Sequence, residues 1–246
     1  MVSQGAADCA NLLPISSFQK RMLFAAENPD TVPGYHELMT ICWAFRVSPA
    51  VSPRTFNRSF NRLVTRHDSL RLQFKKSNDG WRAEILPRHP QGIQVVDLSQ
   101  HSAAEQNTII SEYASQSKSA LSQPLFDMHL FRCGASEDVV LGRAHHSIFD
   151  GYSVALINED LMKSVLNLPS VGTPPGHKEF IEFYLEKAQA DLAEKNAYWE
   201  AAILPPPADP MIGRKVKNLA PVSYTTLNQT TRIDAILTEK ESQIVA

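Results

Sequence analysis

Apolar residues along this chain follow two periods, one near 3.6 and one of 2, and the alternation between them predicts its elements. Residues 1–11 are small and polar, and order is expected to begin near Leu12-Leu13-Pro14-Ile15-Ser16. There Ser16 can cap a short helix carrying Phe18, Met22 and Leu23. Met39, Ile41, Trp43 and Phe45 stand at alternate positions within 37–47, which reads as a strand with one buried face. Ser52-Pro53 opens a helix in which Phe56, Phe60, Leu63 and Val64 form one stripe while Arg54, Asn57 and Arg58 stay in water. Leu70, Leu72 and Phe74 alternate again, and Asn78-Asp79-Gly80 turns the chain into Trp81–Leu86, so residues 70–86 predict a hairpin.

Residues 93–98 form a short apolar strand, and Ser102-Ala103-Ala104-Glu105 is a capping box for a helix reaching about Ser117. Residues 125–133 and 139–145 are two strands joined by Gly134-Ala135-Ser136-Glu137. After Gly151 the helical period returns through Val154, Ile157, Leu161 and Val165. Beyond Pro174-Pro175-Gly176, residues 177–203 predict a longer helix with Phe180, Phe183, Tyr184, Leu192 and Trp199 on its apolar side, ended by Pro205-Pro206-Pro207. Weak alternation follows over 208–236, and Thr238-Glu239-Lys240-Glu241 reads as a helix start near the end of the chain.

The chemistry concentrates where a strand meets a helix, in Ala144-His145-His146-Ser147-Ile148-Phe149-Asp150-Gly151. Paired imidazoles at a strand end can take a proton near neutral pH, an acid returns to the same corner, and Gly151 permits a close backbone approach. Along the strand Val140, Gly142, Ala144 and His146 share a face. The small residues Gly142 and Ala144 leave room there for a ligand arm, or serve only to admit a close packing neighbour. Asp150 invites a triad reading, in which a carboxylate orients the imidazole. The amides of the helix beginning at Gly151 face the corner and suit an oxyanion, with Ser153 as either a further donor or a cap. His36, His67, His89, His101, His129 and His177 are scattered without metal-ligand spacing, and no metal is expected.

Composition narrows the function classes. The chain has 246 residues, enough for a sizeable core, with 24 basic against 26 acidic side chains and a net charge of −2. It lacks a basic run or an aromatic-basic stripe, which speaks against nucleic-acid binding. Cys9, Cys42 and Cys133 are widely spaced and without a CxxC pair, so reduced thiols are expected. No leader pattern and no apolar run of ~20 residues is seen, and a soluble cytoplasmic protein without membrane contact is expected.

His145-His146-Ser147-Ile148-Phe149-Asp150-Gly151 resembles the HHxxxDG signature of condensation domains from nonribosomal peptide synthetases, within the chloramphenicol-acetyltransferase-like superfamily. Leu13-Pro14-Ile15-Ser16-Ser17-Phe18-Gln19 with Met22-Leu23-Phe24 is similar to the family's LPLSxxQxxxWF opening, and Arg66-His67-Asp68-Ser69-Leu70-Arg71-Leu72-Gln73-Phe74 to its RHExLRTxF segment. Pro124-Leu125-Phe126 with Leu130-Phe131-Arg132, and Tyr198-Trp199, resemble two further segments in the same order. The resemblance implies an α/β fold: a two-layer sandwich with a mixed β-sheet and helices on one face. Residues 1–175 would form the N-terminal acyltransferase-like lobe, 176–236 a long helix and bridging segment, and 237–246 the start of a C-terminal lobe. Only the N-terminal half of the two-lobed family is matched.

What the resemblance implies for chemistry is amide bond formation between a carrier-bound acyl or peptidyl thioester and a carrier-bound amine, part of secondary metabolism. His146 would be the catalytic base or the positioning group for the amine. His145 and Gly151 would support the corner, and Asp150 would form a salt bridge with Arg71. Gly142, Ala144 and Ser153 would border the substrate channel. No cofactor is expected on the domain itself; the phosphopantetheine arms of the carriers are substrates. Expected partners are upstream and downstream peptidyl carrier proteins, a C-terminal condensation lobe and an adenylation domain. Two alternatives stand beside this reading: a stand-alone coenzyme A-dependent acyltransferase that oligomerises, and a non-catalytic carrier-binding fragment. The small trimeric acetyltransferases carry the signature near the chain end, whereas about ninety-five residues follow Gly151 here.

Overall fold

The computed structural model describes residues 12–31 and 34–203; the expected alternation over 208–236 and the helix start at Thr238 lie outside them. In chain order the elements are α1 (Ser17–Glu27), α2 (Tyr35–Leu38), β1 (Thr40–Val47), α3 (Pro53–Arg66), β2 (Leu72–Ser77), β3 (Gly80–Ile85), β4 (Gln94–Asp97), α4 (Ala103–Ser115), β5 (Phe126–Arg132), β6 (Asp138–His145), α5 (Gly151–Val165), α6 (His177–Ala190) and α7 (Leu192–Ile203). The helix starts fall where their caps predict. The Ser16 hydroxyl accepts from the Gln19 amide, Ser52 from Thr55 and Ser102 from Glu105.

Four strands pair in the order β1-β6-β5-β4, and β2 pairs with β3 as a separate hairpin. The sheet is mixed, with β6 antiparallel to both β1 and β5, and β4 parallel to β5. This agrees with the α/β, mixed-sheet expectation. The apolar stripe of α3 (Phe56, Phe60, Leu63, Val64) meets Met128, Leu130, Val140 and Ala144 of the sheet and Ile157 and Leu161 of α5 in one core. Each of these large side chains contributes about 1.5–3 kcal/mol by burial. The alternate residues Phe131, Val139 and Leu141 point to the second face, where Leu98 and α4's Ile109, Ile110 and Tyr113 pack on them. Helices therefore lie on both faces of this sheet instead of one, because β5 and β6 are apolar on both sides and each side demands cover. A third cluster joins Ile15, Met22 and Leu23 to Leu72 and Ala83 of the hairpin.

Two expectations shift in detail. Leu70 and Arg71 sit in a 3-10 turn, Asp68–Arg71, that precedes β2. The long helix after Gly176 is interrupted at Asp191, and its expected apolar side faces solvent: Phe180, Phe183, Leu192 and Trp199 are each more than half exposed, while Ile181 is buried.

Gly142 marks the tightest point of the sheet. A Cβ placed there would lie 2.4 Å from Trp43 Cζ2, on the strand directly opposite. Gly142→Ala should therefore lower stability by about 1–3 kcal/mol through overpacking, read as a fall in the urea midpoint at unchanged slope.

Candidate active site

The corner is built where β6 runs out between its two neighbours. The His145 amide donates to the Leu125 carbonyl at 2.8 Å, on the β5 side, and the His146 amide to the Met39 carbonyl at 2.8 Å, before β1. Each histidine is thus held from a different flank. A turn closed by the Ile148 amide on the His145 carbonyl (3.1 Å) then leads to α5.

His145 is fully buried and contacts the Tyr35 ring. Its Nδ1 accepts from the Ser147 amide at 3.1 Å and lies 2.8 Å from the Ser147 hydroxyl. That arrangement places the ring proton on Nε2. Burial, reinforced by His36, His146 and Lys118, pushes its pKa from 6.5 down to about 4. Neutral His145 is bonded within the turn, its Nδ1 facing Ser147. The native state binds fewer protons here than the unfolded chain, so stability is lost as pH falls from about 6.5 toward 4. The loss is on the order of 3 kcal/mol at ~1.4 kcal/mol per pKa unit. His145→Gln should flatten that part of the stability-versus-pH curve; an unchanged slope in urea titrations would remove His145 as its source.

His146 points the other way and is half-buried, its ring edge-to-face with Phe18 at 5.9 Å. Its Nδ1 is buried without a hydrogen-bond partner among the described residues. Asp150 does not supply one. The Asp150 carboxylate instead caps α5, accepting from the Ser153 amide (2.8 Å) and hydroxyl (2.6 Å). Those bonds from Ser153 hold the carboxyl below its usual range. A triad is thus not formed, and Ser153, expected beside the channel, has its hydroxyl committed to the cap.

The expected Arg71–Asp150 salt bridge is not present either. Arg71 donates through Nε to the Val64 carbonyl at 2.8 Å and through a terminal nitrogen to the Leu86 carbonyl, which ties the end of α3 to the end of β3. Its position in the 3-10 turn directs the side chain back along the backbone, away from the exposed Asp150. The rest of the RHDSLR segment makes the long-range ties. His67 Nε2 and Arg66 Nε lie 2.7 and 2.9 Å from Asp160 of α5, and Asp68 accepts from the His177 amide at the start of α6.

Gly142 and Ala144 do not open a channel. The Trp43 indole covers Gly142, stacks on Phe149 at 5.0 Å and donates from Nε1 to Asn158 at 3.0 Å, while Ala144 is wholly buried in the main core. The bulk missing from β6 is returned by β1. Gly151 has open space around its missing side chain and no left-handed φ, so its smallness leaves room at the head of α5 instead of permitting a turn.

Other residues complete the corner without having been singled out. Gln19 is buried on α1; its Oε1 accepts from the Ser16 amide at 3.0 Å and its Nε2 donates to the Ser147 carbonyl at 3.1 Å. Behind His145, Asp127 of β5 pairs with Arg143 of β6 through two 3.0 Å contacts and with Lys118 Nζ at 2.6 Å, all nearly buried. Lys118 also donates to the Pro124 carbonyl at 2.8 Å, and Arg143 to the Tyr113 carbonyl and Gln116 Oε1, both at 2.9 Å. Burial pushes the Asp127 carboxyl up, but Lys118 and Arg143 outweigh it and hold it below the usual range. The sequence signal was a charged residue inside each of two apolar strands. Among the described residues no His/Cys/Asp/Glu group is arranged to hold a metal, and no helix is long and apolar enough to cross a membrane.

The mixed sheet, its helices and the histidine corner define a lobe of the chloramphenicol-acetyltransferase-like fold. The condensation domain family model matches residues 10–215, and the chain belongs to that family. It is 33% identical over 134 residues to chondramide synthase of Chondromyces crocatus, covering 52% of this chain and 3% of the synthase. It is 27% identical over 227 residues to a linear gramicidin synthase of Brevibacillus parabrevis, covering 85% of this chain and 4% of that one. Among solved structures, the starter condensation domain of rhizomide synthetase superposes with a TM-score of 0.67 at 22% identity, over 80% of this chain and 48% of that one. The SgcC5 protein from Streptomyces globisporus gives 0.58 at 25%, over 68% and 40%. The chain thus spans about half of a solved condensation domain and a few per cent of the synthases.

Proposed function

We propose that this chain is the N-terminal lobe of a peptide-bond-forming condensation domain. It works with a C-terminal lobe, an adenylation domain and two carrier proteins whose phosphopantetheine arms bring the reactants. The amine nitrogen attacks the thioester carbonyl carbon; a C–N bond forms, the C–S bond breaks, and the amine's proton goes to the departing thiolate, directly or through His146. The observation that carries this reading is His146 itself, half-buried at the strand end, with Nδ1 committed to no partner and no carboxylate oriented on its ring. Nδ1 is closed off by burial, so it is Nε2, which makes no hydrogen bond among the described residues, that can accept one from the amine and hold it near the carbonyl, where orientation supplies much of the rate.

A single lobe offers one wall of a site that needs two, so the chain alone is expected to have negligible turnover. The test presents acyl-loaded donor and aminoacyl-loaded acceptor carriers to a two-lobed protein containing this chain, with product read by intact mass. Amide product from the two-lobed protein only supports the reading. Robust turnover by the 246-residue chain alone, or acyl transfer from coenzyme A without carriers, overturns it.

A further inference from the structure

On the side of α3 away from the sheet, the structure holds a basic groove that the transfer chemistry does not use. Its floor is the helix itself, where Arg54, Arg58 and Arg62 follow one another at every fourth position with Asn57 and Asn61 between them. The opposite lip is the loop carrying Thr173 and Pro174, and together they border a shallow, open depression of about 780 Å³. Arg54, Arg58 and Arg62 are exposed, and no acidic side chain pairs with them among the described residues. The 14 residues of α3 include no Asp or Glu.

The groove is braced. Arg66, one turn further on, donates to the Val171 and Gly172 carbonyls at 2.8 Å each and is itself held by Asp160 at 2.9 Å. The loop that forms the lip is therefore pinned to the helix that forms the floor, and the three free guanidinium groups stand beside a wall of fixed position.

We infer that this groove is a docking surface for an acidic helical segment of a partner protein, one that presents carboxylates a turn apart. Arg54 to Arg62 spans about 12 Å at 1.5 Å per residue. That is the spacing of Asp or Glu at i, i+4 and i+8 on a facing helix, and a guanidinium fork receives a carboxylate through two parallel hydrogen bonds. A single phosphate fits less well, since charges spread over two helical turns do not converge on one ion. Nucleic acid fits less well too: no aromatic side chain lines the groove for a base to stack on.

The probe is a fluorescein-labelled, helix-forming peptide with glutamates at i, i+4 and i+8 on one face. It is titrated with the full 246-residue chain by anisotropy at low salt, beside a scrambled peptide of equal composition, a single-stranded DNA of about 20 nucleotides and inorganic pyrophosphate as competitor. The striped peptide should bind saturably, at least tenfold tighter than its scramble, and weaken with added salt. Arg58→Glu with Arg62→Glu should cost at least a further tenfold, and Arg58→Gln with Arg62→Gln an intermediate amount, with circular dichroism unchanged. The proposal is overturned by equal binding of striped and scrambled peptides, by absence of saturable binding, by tighter binding of DNA, by displacement with micromolar pyrophosphate, or by glutamine variants that bind as the wild type does.

Discussion

Asp127→Ala should destabilise the chain by about 3–5 kcal/mol, because it leaves Lys118 and Arg143 buried without their shared counter-charge. Against a typical domain stability of about 5–15 kcal/mol, that is enough to unfold a large part of the population at moderate urea. The acid dependence has a definite sign. Asp127 keeps its carboxyl below the usual range in the folded state, so its contribution is complete above the unfolded pKa, near 3.9, and is lost as pH falls through the folded value. The companion variant replaces all three groups at once, Lys118→Met, Asp127→Leu and Arg143→Met. It should recover most of the loss, since an apolar trio has no desolvated charge to compensate. Urea midpoints of the two variants check the argument, and a cost below about 1 kcal/mol for Asp127→Ala would mean that water reaches the cluster.

His146→Ala, in the two-lobed protein with loaded carriers, should lower turnover by about 10²–10⁴-fold, the range for a positioned proton acceptor. Its fold should be intact, because Nδ1 gives up no hydrogen bond and the lost ring contact is an edge-to-face pairing with Phe18. The pH profile separates the two roles left open for this imidazole. If the ring removes a proton, raising the pH frees the amine and shrinks the gap between wild type and variant. If the ring orients an amine that is already free, the gap stays constant and His146→Gln retains part of the rate. Wild-type turnover in His146→Ala would leave the corner without its proposed working group.

Much of this architecture was legible along the chain. Caps at Ser16, Ser52 and Ser102 marked the helix starts because each has a side-chain oxygen three residues ahead of an amide that needs one. Asn78-Asp79-Gly80 marked the hairpin, and the apolar runs of β5 and β6 marked the buried centre of the sheet. Less legible was whatever depends on where a long side chain goes. Arg71 could reach either Asp150 or nearby carbonyls, and the backbone of its turn decided for the carbonyls. Gly142 and Ala144 looked like vacant space because the Trp43 indole that covers Gly142 belongs to a strand about a hundred residues earlier. The aromatic side of α6 and α7 has a helical period, but period alone does not say what covers it. Among the described residues Phe180, Phe183 and Trp199 stay exposed.

Gln19 links residues 128 positions apart, joining the first turn of α1 to the turn that carries the histidines. Closing so long a loop costs entropy that one amide cannot offset, so the bond forms only after the sheet has brought its ends together. A chain shortened past residue 19 would keep its histidines and lose the strap that tells the turn where to stand.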